Sequence, residues 1–155
     1  MTYINESNDT FPQLWSCMEK TKTPLKEIMT LKPICLSPED PLVALKHIYE
    51  RQKFHHHVLV TEKQKVLGIV SLLDFMQAIG NAGLNEDHPV YKKKVKEIMS
   101  THVHMLEETI DIDQALRIFL KNEIHAIPIT ANGVLRGIVT STDLLRFLAE
   151  KSVHS

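Results

Sequence analysis

Cysteine is scarce in this chain: Cys17 and Cys35 are the only two. They make no disulfide framework and show no metal-ligand spacing, which argues against a stapled secreted scaffold and for a reducing cytosol. Charge of one sign is also lacking. The 18 Lys and Arg against 19 Asp and Glu leave a net charge of -1, so no broad field draws the chain to nucleic acid or to a membrane surface. No apolar run is long enough for a signal peptide or a membrane span, and the first residues, MTYINESNDT, are polar and acidic. A convincing nucleophile–base pair, a glycine-rich phosphate loop and a cofactor motif are all missing, which argues against an enzyme. The expectation is a cytoplasmic, non-catalytic protein that recruits neither nucleic acid nor membrane.

What is present is a duplication. The segment that begins LKEIMT at Leu25 and ends VLGIVSLLDFMQAI returns as VKEIMS from Val95, ending LRGIVTSTDLLRFL. A shift of 70 superposes Lys26, Glu27, Ile28, Met29, Leu36, Ile48 and His55 on Lys96, Glu97, Ile98, Met99, Leu106, Ile118 and His125. With one residue dropped in the 61–67 turn, Gly68, Ile69, Val70 and Asp74 then fall on Gly137, Ile138, Val139 and Asp143. Chance alone would give roughly three such identities. A repeat of this kind governs the architecture, and each copy is of a size at which a lone unit is only marginally stable. The two copies are therefore expected to share their burial. The expected organisation is an N-terminal segment (1–24), a first repeat (25–80), a linker (81–94), a second repeat (95–150) and a tail (151–155).

Each copy carries the same succession of patterns. A short extended stretch, Pro33 to Leu36 or Val103 to Leu106, precedes a helix. Ser37-Pro38-Glu39-Asp40 predicts the first helix start, followed by Leu42, Leu45, Ile48 and Tyr49 at helical spacing. Two apolar runs joined by a polar turn follow: His57 to Val60 with Val66 to Val70, and Ile127 to Ile129 with Leu135 to Val139. Asn132-Gly133 is a strong hairpin signal, where the first copy has TEKQK. A second helix closes each unit. The fold class is α+β, with two β-α-β-β-α units. Upstream, Phe11, Leu14, Trp15 and Met18 predict an amphipathic N-terminal helix packed on the module or on a second subunit. The KKKVK run at Lys92 to Lys96 is expected to be a solvated part of the linker.

One polar signature recurs. Gly-Ile-Val-Ser71-x-x-Asp74 and Gly-Ile-Val-Thr140-x-x-Asp143 stand where a strand passes into a helix. A hydroxyl followed three residues later by an acid is a capping box, and from spacing alone this is the favoured reading. A helix start beside a strand end also offers N–H groups to a phosphate, and a carboxylate there can accept both hydroxyls of a ribose. Cap and ligand site can be the same residues.

With KEIM at the start, His125-Ala126-Ile127-Pro128-Ile129 before the hairpin and the G-I-V-[ST]-x-x-D close, both repeats resemble cystathionine-β-synthase (CBS) domains. The pair resembles a Bateman module over residues 25 to 149, about four fifths of the chain. The resemblance implies two units about a pseudo-twofold axis, with clefts that bind adenosine-containing ligands: AMP, ADP, ATP or S-adenosylmethionine as regulator, with no cofactor required. By this resemblance Asp74 and Asp143 hold ribose hydroxyls, with Ser71 and Thr140 near phosphate or ribose. Pro33-Ile34 and Val103-His104 flank the base, along with main-chain groups at His55-His56 and His125-Ala126. His55 and His125 stand where some relatives approach phosphate, and Lys53, Lys65, Lys121 and Arg136 are further cationic candidates. A homodimer and an unidentified effector protein are implied partners. Val58 in place of Pro128, and a first turn without glycine, make the expected clefts unequal.

Nine histidines are many for this length. His55 and His57 share one face of an extended segment, as do His102 and His104. Two such pairs could hold zinc or iron, yet no Cys or acid completes a recognisable set, so surface, cap or nucleotide roles are preferred. A ligand-free interaction module and a metal sensor are the competing functions.

Overall fold

The computed structural model describes residues 22–52, 56–122 and 124–153, so the N-terminal helix expected around Trp15, and His55 with it, lie outside the described residues. Two bodies follow one plan. The first holds β2 (Cys35–Leu36), α1 (Leu42–Arg51), β3 (His57–Glu62), β4 (Lys65–Ser71) and α2 (Leu72–Ile79). The second holds β5 (Leu106–Glu107), α3 (Ile112–Asn122), β6 (Ala126–Ala131), β7 (Val134–Thr140) and α4 (Ser141–Val153). β2 runs parallel to β3 and β3 antiparallel to β4; β5, β6 and β7 repeat the arrangement. This is the expected α+β class with its internal pseudo-symmetry.

The LKEIMT and VKEIMS segments do not pack in the body whose sequence they open. Leu25 is fully buried in the core of the second body, among Ile112, Phe119, Ile127 and Leu144. Val95 is fully buried in the first, among Leu42, Leu45, Val70 and Phe75. The exchange is reciprocal down to single bonds. Leu25 N–H donates to Ile110 O at 2.8 Å and Val95 N–H to Asp40 O at 2.8 Å. Lys26 to Glu108 O and Lys96 to Pro38 O are both 3.1 Å. Ile112 to Thr23 O and Leu42 to Lys93 O are both 2.9 Å. A short strand, β1 (Thr30–Leu31), continues the first lead segment along the edge of β7, and Ser100 makes the matching bridge to Ile69. Each body thus depends on burial supplied by the other copy, as expected for units this small.

Gly68 and Gly137 make that close approach possible. A Cβ at Gly137 would lie 2.7 Å from Thr30 O and 2.9 Å from Met29 Sδ. At Gly68 it would lie 2.8 Å from Ser100 O and 2.7 Å from Met99 Sδ. A backbone oxygen held in a sheet bridge cannot step aside.

Several local expectations change. The first helix does not begin in the Ser37–Asp40 stretch. Asp40 carboxylate accepts from Ser37 N–H at 2.7 Å and closes a turn, and the helix starts at Leu42 behind Pro41. Both hairpins have two-residue turns, Lys63-Gln64 and Asn132-Gly133, because Glu62 pairs Lys65 and Ala131 pairs Val134. The dropped residue therefore lies not in the 61–67 turn but between α1 and β3. The offset is already 69 where Leu72 N–H donates to His56 O and Ser141 N–H to His125 O. His56, not His55, is the counterpart of His125. Pro128 corresponds to Leu59 rather than Val58, since Leu59 pairs Ile69 and Pro128 pairs Ile138. Both are buried.

The stretch between the copies packs on the first body. Val90 and Tyr91 join its core, and Tyr91 Oη donates to Gly83 O. Lys46, itself buried, pairs with Glu86 of this stretch at 2.7 Å and with Glu50 at 2.8 Å. Of the KKKVK run, Lys94 and Lys96 grip Glu39, whose carboxyl their hydrogen bonds hold down at about 2.

Two stability predictions follow from this packing. Gly68→Ala and Gly137→Ala should each lose about 2 kcal/mol, the usual cost of an overpacked site, read as a lower midpoint in urea unfolding. Lys63 and Gln64 adopt left-handed φ of 47° and 64° without being glycine. Replacing the pair by Asn-Gly should raise stability by about 1 kcal/mol, measured the same way.

Candidate functional site

The exchange carries the chain from one body to the other at Lys32 to Ile34, between β1 and β2. This crossing forms one wall of a cleft of about 650 Å³, within the range of about 300–1,000 Å³ usual for small-molecule sites. The end of β7 and the start of α4 form another: Ile138, Thr140, Ser141, Thr142, Asp143 and Arg146. His56, His57 and His125 line the cleft between them. Six residues singled out in the sequence, Pro33, Ile34, His56, His125, Thr140 and Asp143, are thereby brought together. Ser71, Asp74, Ala126, Val103 and His104 do not line this cleft. They stand at the pseudo-equivalent places: Ser71 and Asp74 at the start of α2, Ala126 at the start of β6, and Val103-His104 on the return crossing between Ser100 and β5.

Both hydroxyl–acid pairs are caps. One Asp74 carboxylate oxygen, Oδ2, accepts from Ser71 N–H at 2.8 Å and Ser71 Oγ–H at 2.7 Å. Asp74 N–H donates back to Ser71 Oγ at 3.1 Å. The second copy repeats this, with 2.8 Å and 2.9 Å to Asp143 Oδ2 and 3.3 Å for the return bond. Glu is the common acid in such a box; the shorter Asp draws the carboxylate tight against the strand end. In each case the cap uses Oδ2. Asp143 Oδ1 faces Arg146 Nη1 at 3.6 Å, a loose ion pair, and Asp74 Oδ1 has no partner among the described residues.

Electrostatics differ from the sequence expectation. Of the four cationic candidates, Lys53 lies outside the described residues. Lys65 borders a separate cleft with Glu107 and Thr130, Arg136 pairs with Glu108 at 3.5 Å, and Lys121 sits in the last turn of α3. None of these three lines the large cleft. Lys32 and Arg146 supply its positive charge instead. Their signals were local: Lys32 directly precedes Pro33, and Arg146 follows Asp143 by three residues, on the same helix face. The His57 imidazole is pushed below its ordinary range, first by burial and then by the neighbouring His125 and His56, against a smaller pull from Asp74. A neutral ring there acts as a hydrogen-bonding group rather than a charge. His102 and His104 meet edge to face at 5.5 Å, and among the described residues no three His, Cys, Asp or Glu side chains gather to hold a metal. No helix among them is long and apolar enough to cross a membrane.

Comparison with known proteins agrees with this architecture. The CBS domain family model matches residues 25–81 and 95–150. An uncharacterized 33.4 kDa protein from Thermofilum pendens is 30% identical over 132 residues, covering 81% of this chain and 44% of that protein. The chain spans about half the length of such curated relatives. AcuB from Vibrio cholerae superposes with a TM-score of 0.74 at 26% identity, covering 87% of this chain and 98% of that one. The CBS domain pair of protein MJ0100, solved in complex with 5′-methylthioadenosine and S-adenosyl-L-methionine, superposes with a TM-score of 0.70 at 24% identity, covering 84% and 99%. Two matched repeats, two matching bodies and a cleft between them lead to one conclusion: this chain belongs to the CBS domain family, as a tandem pair.

Proposed function

We propose that this chain is a regulatory module that binds an adenosyl ligand in the cleft between its bodies and passes the bound state to a partner or through an oligomer. The observation that carries this reading is the composition of the cleft. An apolar wall at Pro33 and Ile34 faces a carboxylate, Asp143, whose Oδ2 is occupied by the cap while Oδ1 is held by a weak pair. A flat base suits the first wall, and a ribose diol can replace Arg146 at the second. The MJ0100 pair, with adenosyl compounds bound, supports the ligand class. Because the walls come from different copies, a ligand spanning them favours one relative arrangement of the bodies, which is how binding can act at a distance.

Isothermal titration with AMP, ADP, ATP and S-adenosylmethionine tests this. At least one should bind, and Asp143→Ala should weaken it about tenfold or more through the lost charge-assisted bonds. Asp143→Asn, which keeps a cap acceptor, separates that loss from helix fraying. Unchanged affinity in both Asp143→Ala and Asp74→Ala would remove the ribose role.

The same reading includes a homodimer built on the helices. Leu73 and Met76 on α2 and Leu145 on α4 are 65%, 53% and 66% exposed, and Met76 and Leu145 are counterparts under the offset of 69. Unpartnered apolar side chains at matching places on two helices fit an isologous contact. Light scattering at micromolar concentration should give a dimer mass, and Met76→Glu with Leu145→Glu a monomer mass.

A further inference from the structure

The pseudo-twofold predicts a second cleft of the same plan at Ser71 and Asp74, but it does not give the two places the same charge. The lead segments are offset by 70 and the closing helices by 69. Lys32 therefore corresponds to His102, and Arg146 to Gln77. Lys32 and Arg146 both line the cleft at Asp143. At the two matching places beside Asp74 there is no permanent positive charge. We propose that the cleft at Thr140 and Asp143 accepts a phosphate-bearing adenosine ligand, gripped by Lys32 and Arg146, while the cleft at Ser71 and Asp74 takes an adenosyl compound without phosphate. This rests on the adenosyl reading of the clefts and deepens it to ligand class.

Three observations support the assignment. The two cations line one cleft from different parts of the chain, Lys32 from the crossing segment and Arg146 from α4, so an anion in the cleft can meet both. The Arg146–Asp143 pair is long, at 3.6 Å, and the Arg146 side chain is 66% exposed. A guanidinium has five donors, and this pair leaves them available to a phosphate once ribose occupies Asp143. Lys32 also has a left-handed φ of 53°, uncommon for a residue with a side chain. His102 is not among the residues of positive φ. The two crossings thus differ in backbone as well as in charge, at the one place where each meets its cleft, and backbone strain of this kind collects at ligand clamps.

The test compares AMP with 5′-methylthioadenosine, which share base and ribose and differ in the phosphate. Calorimetric titration of the full chain should show AMP affinity falling as salt rises and 5′-methylthioadenosine affinity nearly independent of it. Lys32→Ala and Arg146→Gln should each lower the ratio of AMP to 5′-methylthioadenosine affinity by about tenfold or more. Both residues are exposed, so an unchanged melting midpoint should accompany the loss. The reciprocal double variant His102→Lys with Gln77→Arg should add an AMP site to the second cleft. If that ratio stays within twofold in both single variants while wild type binds AMP, the charge assignment is overturned and the adenosyl reading stands. If no adenosyl compound binds wild type, both are overturned.

Discussion

The reciprocal insertion of two lead segments is the constraint on which the rest of this molecule depends. Leu25 and Val95 each fill a core built by the other copy. Complete burial of such side chains contributes about 1.5–3 kcal/mol apiece. Three matched pairs of backbone hydrogen bonds hold the segments in place. Because each segment must return to its own body, the chain crosses between bodies at Lys32 to Ile34 and again after Ser100. The first crossing is a wall of the large cleft. A single copy folded alone would have neither that wall nor a filled core, so stability and site arise from the same exchange.

At the start of α4, the proposed reading gives one carboxylate two purposes. Capping the helix needs an acceptor turned back to the strand end, and Asp143 supplies it with Oδ2. That fixes the side chain in one orientation and leaves Oδ1, among the described residues, with a long pair to Arg146. Capping of this kind contributes about 1 kcal/mol, so the helix start itself holds the carboxylate in place. The capping and the ligand readings of the hydroxyl–acid pair are thus compatible, since they use different oxygens.

Duplication followed by divergence explains why the surroundings of Asp74 and Asp143 differ in charge. The features shared by both copies are those that packing requires: glycines under the crossing strands, a cap at each closing helix, apolar residues at the same strand positions. The differences fall on side chains free of those demands, Lys32 against His102 and Arg146 against Gln77. The hairpin turns differ too. Lys63-Gln64 is held in a geometry that Asn132-Gly133 adopts at lower cost, and Gln64 O accepts a bond from Leu135 N–H at the meeting of the two hairpins.

The sequence by itself determined the order of elements, the duplication and the hydroxyl–acid caps, because each rests on local periodicity or on short-range hydrogen bonding. Helix spacing from Leu42 to Tyr49, alternation into the hairpins and the Ser71/Asp74 and Thr140/Asp143 pairs needed no distant partner to be legible. The helix start at Leu42 is not legible because Ser37 and Asp40 satisfy each other in a turn with the same residue types as a cap. The correspondence of His56 with His125 is hidden because identical neighbouring histidines mask a one-residue offset that strand register resolves. Tertiary structure alone decided which body each lead segment enters, and hence which residues face one another across the cleft. Lys32 and Arg146 are 114 positions apart in sequence. Nothing local to either one records the exchange that brings both to one cleft.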